Sequence, residues 1–261
     1  MDKTTKHIVF NLVYTILGII SFFYISNFWY LFLFWLIIAV GNGTIGHRYF
    51  AHNQFKVGKF KHWIFAFWCT ISAYSNVSYW QTQHRHHHRN SDTDTDIHSP
   101  RLGFWQSIFF WSFNKQRIES ILNDRHSKIN LARSYQDTAI RVTSENFILI
   151  NLSFVILLGI ANYELIPCYF AAFILDSLRL GIINSVLHIT NFPGNYRNHE
   201  TKDNSQNNLI IGLLTLGFGW HNNHHNNSSK LILTEKWWEL DIEGWIGKIL
   251  SKEIFNERRD S

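Results

Sequence analysis

The sequence predicts an all-α integral membrane protein of four transmembrane helices in two hairpins, with a helical polar cap on one side. Three observations carry that prediction. From Ile8 to Gly46, a run of 39 residues, there is no charged residue and no histidine. A second charge-free run covers Asn146–Tyr163, followed after Glu164 by the apolar stretch Leu165–Leu187. Between these blocks, residues 47–145 are rich in Arg, Lys, Asp, His and Gln. A mean hydropathy of −0.10 hides this division, because it averages apolar spans against polar chain.

The first run would measure about 58 Å as a straight helix, roughly twice the ~30 Å hydrocarbon core, so it holds two spans. They are expected at 8–25 and 28–46, turning at Ser26-Asn27. Lys3 and Lys6 before an apolar stretch resemble the start of a signal peptide, but no small-residue cleavage site follows and a second span comes at once. Trp63–Tyr79 is aromatic yet interrupted by Ser72, Ser75, Asn76 and Ser78, which predicts an interfacial or partly inserted helix. The second hairpin is expected as spans 146–163 and 165–187, turning at Asn162–Glu164, with Pro167 in the opening turn where a helix tolerates it. The tail is polar and Asn-rich, with an apolar helix at Leu209–Leu216 and an amphipathic end around Trp237–Leu250. All 261 residues read as a single domain, its cap formed by 47–145 and 189–261.

Four spans place both termini and the 47–145 segment on one side. The opposite turns contain no Lys or Arg, and apart from Arg179 the basic residues all lie on the shared side, which the positive-inside rule makes cytoplasmic. The excess of 24 Lys+Arg over 19 Asp+Glu is thus mainly a topology signal. The basic residues are scattered rather than striped, which argues against nucleic acid as a partner. Two cysteines, Cys69 and Cys168, make neither a disulfide framework nor an iron–sulfur ligand set, and fit a reduced compartment. Asp176 and Arg179 are charges inside an apolar span; at i, i+3 they can pair. That pair reads either as a lock between spans or as a polar wall beside a bound chain.

Fifteen histidines gather on the polar side. His47 and His52 are spaced H-x4-H at the end of the second span. His84, His87 and His88 follow Trp80 as H-x2-H-H, and His221, His224 and His225 repeat that spacing after Trp220. His188 ends the fourth span, with Asn184 one turn earlier on the same face. On a helix, i, i+3 and i+4 share a face, so each H-x2-H-H is expected to present three imidazoles to one point, while His86 points away. His47 and His52 share no face of a regular helix. The total is nine imidazoles, more than one metal takes, so the cap is expected to hold a dimetal site. Imidazole suits iron, copper, zinc and nickel alike. His7, His62, His86, His98, His126 and His199 read as ordinary structural residues.

These motifs together resemble the membrane acyl-CoA desaturases of the stearoyl-CoA type. The resemblance runs from about Gly43 to Ile249. It includes Gly-Thr-Ile-Gly-His-Arg-Tyr-Phe-Ala-His at 43–52, Tyr79-Trp80 before the second box, and His98-Ser-Pro100. Further on come Asn184-Ser-Val-Leu-His188, Asn207-Asn208, Gly-Trp-His-Asn-Asn-His-His at 219–225 and Trp237-Trp-Glu-Leu-Asp241. The resemblance implies two irons held by His47, His52, His84, His87, His88, His188, His221, His224 and His225, with Asn184 reaching one through a water. Asp92 and Asp96 match acidic family positions and would orient imidazoles. Two departures stand out: Gly217-Phe218-Gly219 replaces the family's Gly-Glu-Gly, and Gln81-Thr82-Gln83 stands where animal acyl-CoA desaturases carry Arg-Asp beside the coenzyme.

The reaction so implied puts a cis double bond, at the ninth carbon, into a saturated acyl chain, carried as a thioester of coenzyme A or acyl carrier protein, or on a lipid. Breaking unactivated methylene C–H bonds is beyond any side chain, so iron and O2 would do it while the protein positions the chain and excludes water. Tyr79, Trp80 and Trp220, with the aromatic 63–74 helix, are candidate walls of an acyl tunnel. Lys115 and Arg117 are candidate contacts for the carrier's phosphates. Only 36 residues follow His225, too few for a fused cytochrome, so a separate electron donor (a ferredoxin, a cytochrome b5-like protein or a flavoprotein) is expected. The expected partners are thus a fatty acyl substrate, membrane lipid and that donor. A hydroxylase or acetylenase could use the same irons, and a non-catalytic membrane metal-binding protein could use the same histidines.

Overall fold

A computed structural model describes residues 2–72 and 76–254. Helix α1 (Lys3–Ser21) starts at Asp2, whose side chain accepts from the Thr5 N–H, and ends in a 3₁₀ turn at Phe22–Tyr24. Helix α2 (Phe28–Val40) is capped by Asn27 and runs on without a break as a π-helix, Gly41–Ala51. After strand β1 (Phe55–Lys56) come α3 (Lys59–Ser72) and α4 (Val77–Asn90). Shorter helices follow: α5 (Phe104–Ile108), α6 (Lys115–Asn123), α7 (Arg125–Gln136) and α8 (Thr138–Glu145). Next are α9 (Phe147–Ala161) and α10 (Leu165–Val186). The tail adds β2 (Asn195–Tyr196), β3 (Asn207–Asn208), α11 (Leu209–Leu214), α12 (His221–Asn226), α13 (Ile242–Leu250) and β4 (Glu253–Ile254). β1 pairs antiparallel with β4, and β2 with β3.

Among the described residues, three helices are long and apolar enough to cross a membrane: Lys3–Tyr24, Phe28–Ala51 and Leu165–Val186. The expected span 146–163 is α9, only 15 residues and about 22 Å long, short of the ~30 Å core. It counts as a fourth span only together with α8, from which it bends by 73°. α10 is the central column. Its Tyr169, Phe170 and Phe173 are buried against Phe10 and Tyr14 of α1 and Leu31, Phe34 and Ile38 of α2. The outward sides of α1 and α9 expose Leu12, Ile16, Ile19, Leu152, Ile156 and Ile160, the surface a lipid environment would cover.

The 63–79 region is two helices rather than one. α3 starts with Phe60 and Trp63 exposed and drives its C-terminal end between the spans. The carbonyls that a helix end leaves without intrahelical partners are taken by neighbours. Asn151 of α9 donates to Thr70 O at 3.2 Å, Tyr169 of α10 to Ile71 O at 2.7 Å, and Asn42 to Ser72 O at 2.8 Å. Trp68 Nε1 also donates to Ile37 O at 2.8 Å. Asn76 then caps α4, accepting from the Tyr79 N–H, and α4 carries the second histidine box back out. Tyr74, within the aromatic stretch 63–74, lies outside the described residues.

Below the π-helix sits a buried charge cluster. Arg179 donates to Asp176 at 2.6 Å and Glu243 at 2.8 Å, Asn42 donates to Asp176 at 2.6 Å, and Arg48 donates to Asp241 at 2.7 Å. The pair inside the fourth apolar stretch therefore locks α10 to α13 and to the end of α2. Gly43 permits this approach, because a Cβ there would collide with the Glu243 carboxylate. Two arginines face three carboxylates. Burial pushes the Glu243 pKa up to about 7, against the pull of Arg179. A carboxyl raised in the folded state stabilises it fully below the unfolded pKa near 4.5 and loses that contribution as pH rises towards 7. Glu243→Gln should accordingly flatten the fall in thermal stability between about pH 4.5 and pH 7. Melting curves in detergent across that range would measure it.

Candidate metal centre

The π-helix explains how H-x4-H can work. With i→i+5 hydrogen bonding, residues five apart come one above the other, and such turns recur at functional sites. The His52 N–H donates to His47 O at 3.0 Å, and the two rings stand 4.7 Å apart. On α4, His88 lies about 40° to one side of His84 and His87 about 60° to the other. The same holds for His225 and His224 about His221 on α12.

The two boxes use that divergence reciprocally. One group of convergent nitrogens is His47, His52, His84, His88 and His224; the other is His87, His188, His221 and His225. Each H-x2-H-H thus gives its i, i+4 pair to one group and its i+3 residue to the other, rather than three imidazoles to one point. In the first group the Nε2 atoms of His52 and His84 are 2.8 Å apart, while His47–His224, His84–His88 and His88–His224 are each 3.0 Å apart. In the second group His188 and His221 are 3.0 Å apart. The groups adjoin, with the His88 and His225 rings stacked at 4.3 Å.

The donor set fits metal ions. Two imidazole nitrogens about 2.1 Å from one ion and at right angles would stand ~3.0 Å apart, which is the spacing found. The buried Nε2 atoms of His87 and His225 have no hydrogen-bond partner among the described residues and converge on the second group. Burial, and then the neighbouring imidazoles, push the pKa values of His84, His88, His221 and His224 well below the ordinary value. The neutral ring is the form that ligates.

The second group is backed by three carboxylates. His87 Nδ1 donates to Asp96 at 3.0 Å, His188 Nδ1 to Asp92 at 2.9 Å and His225 Nδ1 to Asp203 at 2.6 Å. Burial opposes their ionisation, but each imidazole contact outweighs it and holds all three carboxyls below their ordinary range. Asp92 is held at φ 60°, a conformation costly for a non-glycine residue and frequent at functional sites. Asp203 escaped the sequence reading, since only its acidity in an Asn-rich segment marked it. In the first group the Nδ1 atoms of His47 and His224 have no partner among the described residues. α12 is held by Asn207, which accepts from the Asn222 N–H, and by Glu239, which accepts from Asn223 at 2.9 Å.

Beside the first group lies a cavity lined by Trp80, His84, His98, Trp111, Leu180 and Asn184, with Phe218 closing one wall 4.4 Å from His47 and the His98 ring 5.4 Å from His87 of the second group. Among the described residues, Trp80 is the one expected tunnel residue found here, stacked on His84 at 5.1 Å. Tyr79 faces the other way, its ring 4.2 Å from His7. Trp220 is wholly buried against Gly212 and donates to Leu240 O at 2.9 Å, so it is packing rather than lining. His98, read as structural, does line the cavity, edge-on to Trp111 at 4.3 Å. Lys115 is tied to Asp2 at 2.9 Å, and Arg117 reaches Asp94 O at 3.5 Å, both on the exposed cap. Asp176 and Arg179 do not line the cavity directly; Arg179 packs behind its Phe218 wall, 5.4 Å from that ring.

Comparison with known proteins settles the lineage. The fatty acid desaturase family profile matches residues 26–240. The chain belongs to the fatty acid desaturase family. It is 29% identical over 94% of its length to a "Delta-9 acyl-lipid desaturase 2" of Arabidopsis thaliana, covering 79% of that protein. It is 32% identical over 86% of its length to an "Acyl-CoA C20 Delta5-desaturase" of Anemone leveillei, covering 71% of it. An "sn-1 stearoyl-lipid 9-desaturase" of Synechocystis sp. is 29% identical over 82% of the chain, covering 66% of that protein. This desaturase is therefore an oxidoreductase acting on fatty acyl chains, and its long apolar helices are those of an integral membrane protein.

Proposed function

We propose that this desaturase is an O2-dependent di-iron enzyme that introduces a cis double bond at the ninth carbon of a saturated acyl thioester. The observation that carries the reading is the pair of adjoining imidazole groups, five and four, with His84 of the first lining a largely apolar cavity. His47, His52, His84, His88 and His224 would hold one iron. His87, His188, His221 and His225 would hold the other, with Asn184 reaching one of the two through a water. Bound irons supply the O2 chemistry that methylene C–H cleavage needs. The remaining work belongs to the chain. Asp92, Asp96 and Asp203 fix ring orientation and raise ligand basicity. Trp80, Trp111, Leu180 and Phe218 present apolar surface that aligns an acyl chain and keeps water out. Overall, one CH2–CH2 unit, O2, two electrons and two protons give CH=CH and two waters, so two electrons come from outside.

The four-span arrangement belongs to this reading, with α8–α9 as one bent span and the termini and metal centre on the cytoplasmic side where the basic residues gather. The test is mass-spectrometric location of double bonds in lipids of cells expressing wild type or His224→Ala. New cis alkenes at the ninth carbon are expected from wild type alone. Hydroxylated or triple-bonded products without alkene would overturn the reaction, and alkenes at the fifth carbon would overturn the position.

A further inference from the structure

On the side of α4 away from the cavity, a groove opens between α3, α4, α7 and the chain around β1. Its walls include Tyr49, Phe50, His62, Arg85, Arg133 and Asp137. Arg85 donates Nε to Ala51 O at 2.7 Å and Nη2 to Phe50 O at 2.9 Å. Arg133 is exposed on α7 and lines the same groove as Arg85. Among the described residues neither has a carboxylate within ion-pair distance. Asp137 is engaged elsewhere: it accepts from His62 Nε2 at 3.0 Å and from the Ile140 N–H at 3.0 Å, while His62 Nδ1 accepts from Tyr49 at 2.8 Å.

This groove backs directly onto the five-imidazole group. Ala51 precedes His52 and Arg85 follows His84, the two histidines whose Nε2 atoms are 2.8 Å apart. A donor seated on Arg85 would be separated from His52 by one hydrogen bond and one peptide unit. His52 is itself only partly buried. Two unpaired cations beside an electron acceptor form a surface complementary to an acidic redox protein, and such complementarity acts mainly on encounter rate and orientation.

We propose that the Arg85–Arg133 groove docks a small acidic electron-carrier protein, which delivers the two electrons through the Arg85–Ala51–His52 path. The inference rests on the desaturase reading, which sets the demand for two external electrons per double bond. Cys69 and Cys168 are both buried and unpaired and offer no iron–sulfur ligand set in their place. Arg133 is the group to alter, because Arg85 also braces the chain before His52.

The experiment uses the iron-loaded full chain in detergent with three reductants in parallel: reduced plant-type [2Fe–2S] ferredoxin, a reduced cytochrome b5 domain, and reduced methyl viologen, which needs no docking surface. Arg133→Glu should raise KM for whichever protein donor serves the wild type by about tenfold and flatten its salt dependence. The viologen-driven rate should stay the same, and Arg133→Lys should keep most of the wild-type KM. An unchanged KM and salt slope would overturn the docking site. So would an equal loss with viologen, or inertness of both acidic carriers towards a wild type that viologen drives. No alkene from wild type with any reductant would instead sink the desaturase reading itself.

Discussion

Alanine at His87 and alanine at His88 are each expected to abolish desaturation while acting on different centres, although the residues are neighbours on one helix. His87 is one of four nitrogens in its group, so His87→Ala leaves three imidazoles and should bring iron content from two per chain towards one. His88→Ala leaves four imidazoles in the other group and should retain more iron with no more activity. Elemental analysis beside double-bond analysis separates the two outcomes. Asp203→Asn should fall between them: replacing the charged acceptor 2.6 Å from His225 Nδ1 with a neutral amide should weaken iron binding about ten- to a hundredfold, recoverable with excess iron. A wild type carrying one exchangeable zinc, with lipids untouched by His87→Ala, would identify a metal handler rather than an enzyme.

The sequence makes the ligand types legible, because histidine spacing and burial beside apolar spans are local patterns. Their partition between two centres is not local. It depends on α4 and α12 facing each other, so that His87 crosses to the group of His221 and His225 while His224 crosses to that of His84 and His88. His47 and His52 are legible as a motif, but not how they meet: a 3.6-residue period places them apart, and only the π-helix over Gly41–Ala51 brings them together. Tyr79 and Trp220 show the same limit in the cavity. Being aromatic and adjacent to a histidine box does not fix which side of a helix faces the substrate. The short α9 and the bend before it were equally invisible, since apolar composition continues through residues that the backbone turns at 73°.

Asp241→Leu is expected to cost about 3–5 kcal/mol and to loosen the five-imidazole group before the protein unfolds. The Arg48 and Asp241 side chains are both fully buried. Arg48 Nη1 donates to Leu231 O and Nη2 to Asp241 at 2.7 Å. Asp241 also accepts from the Leu233 N–H at 2.7 Å and from the Gly244 N–H at 2.9 Å, the second of these capping α13. Burial pushes its pKa up, and the Arg48 charge is the strongest force opposing that. Leucine here strands a guanidinium in the interior, where an unpaired charge costs far more than the pair contributes. Removing both charges, as Arg48→Met with Asp241→Leu, should therefore be less damaging than Asp241→Leu alone. Arg48 follows His47 within the π-helix, so its displacement acts on the ring that meets His224 at 3.0 Å. Thermal unfolding with iron content measured at each temperature should show Asp241→Leu releasing metal below its unfolding midpoint and the double variant holding it closer to that midpoint. Simultaneous loss of metal and fold in both would mean that Asp241 carries stability alone and leaves the π-helix register to the packing around it.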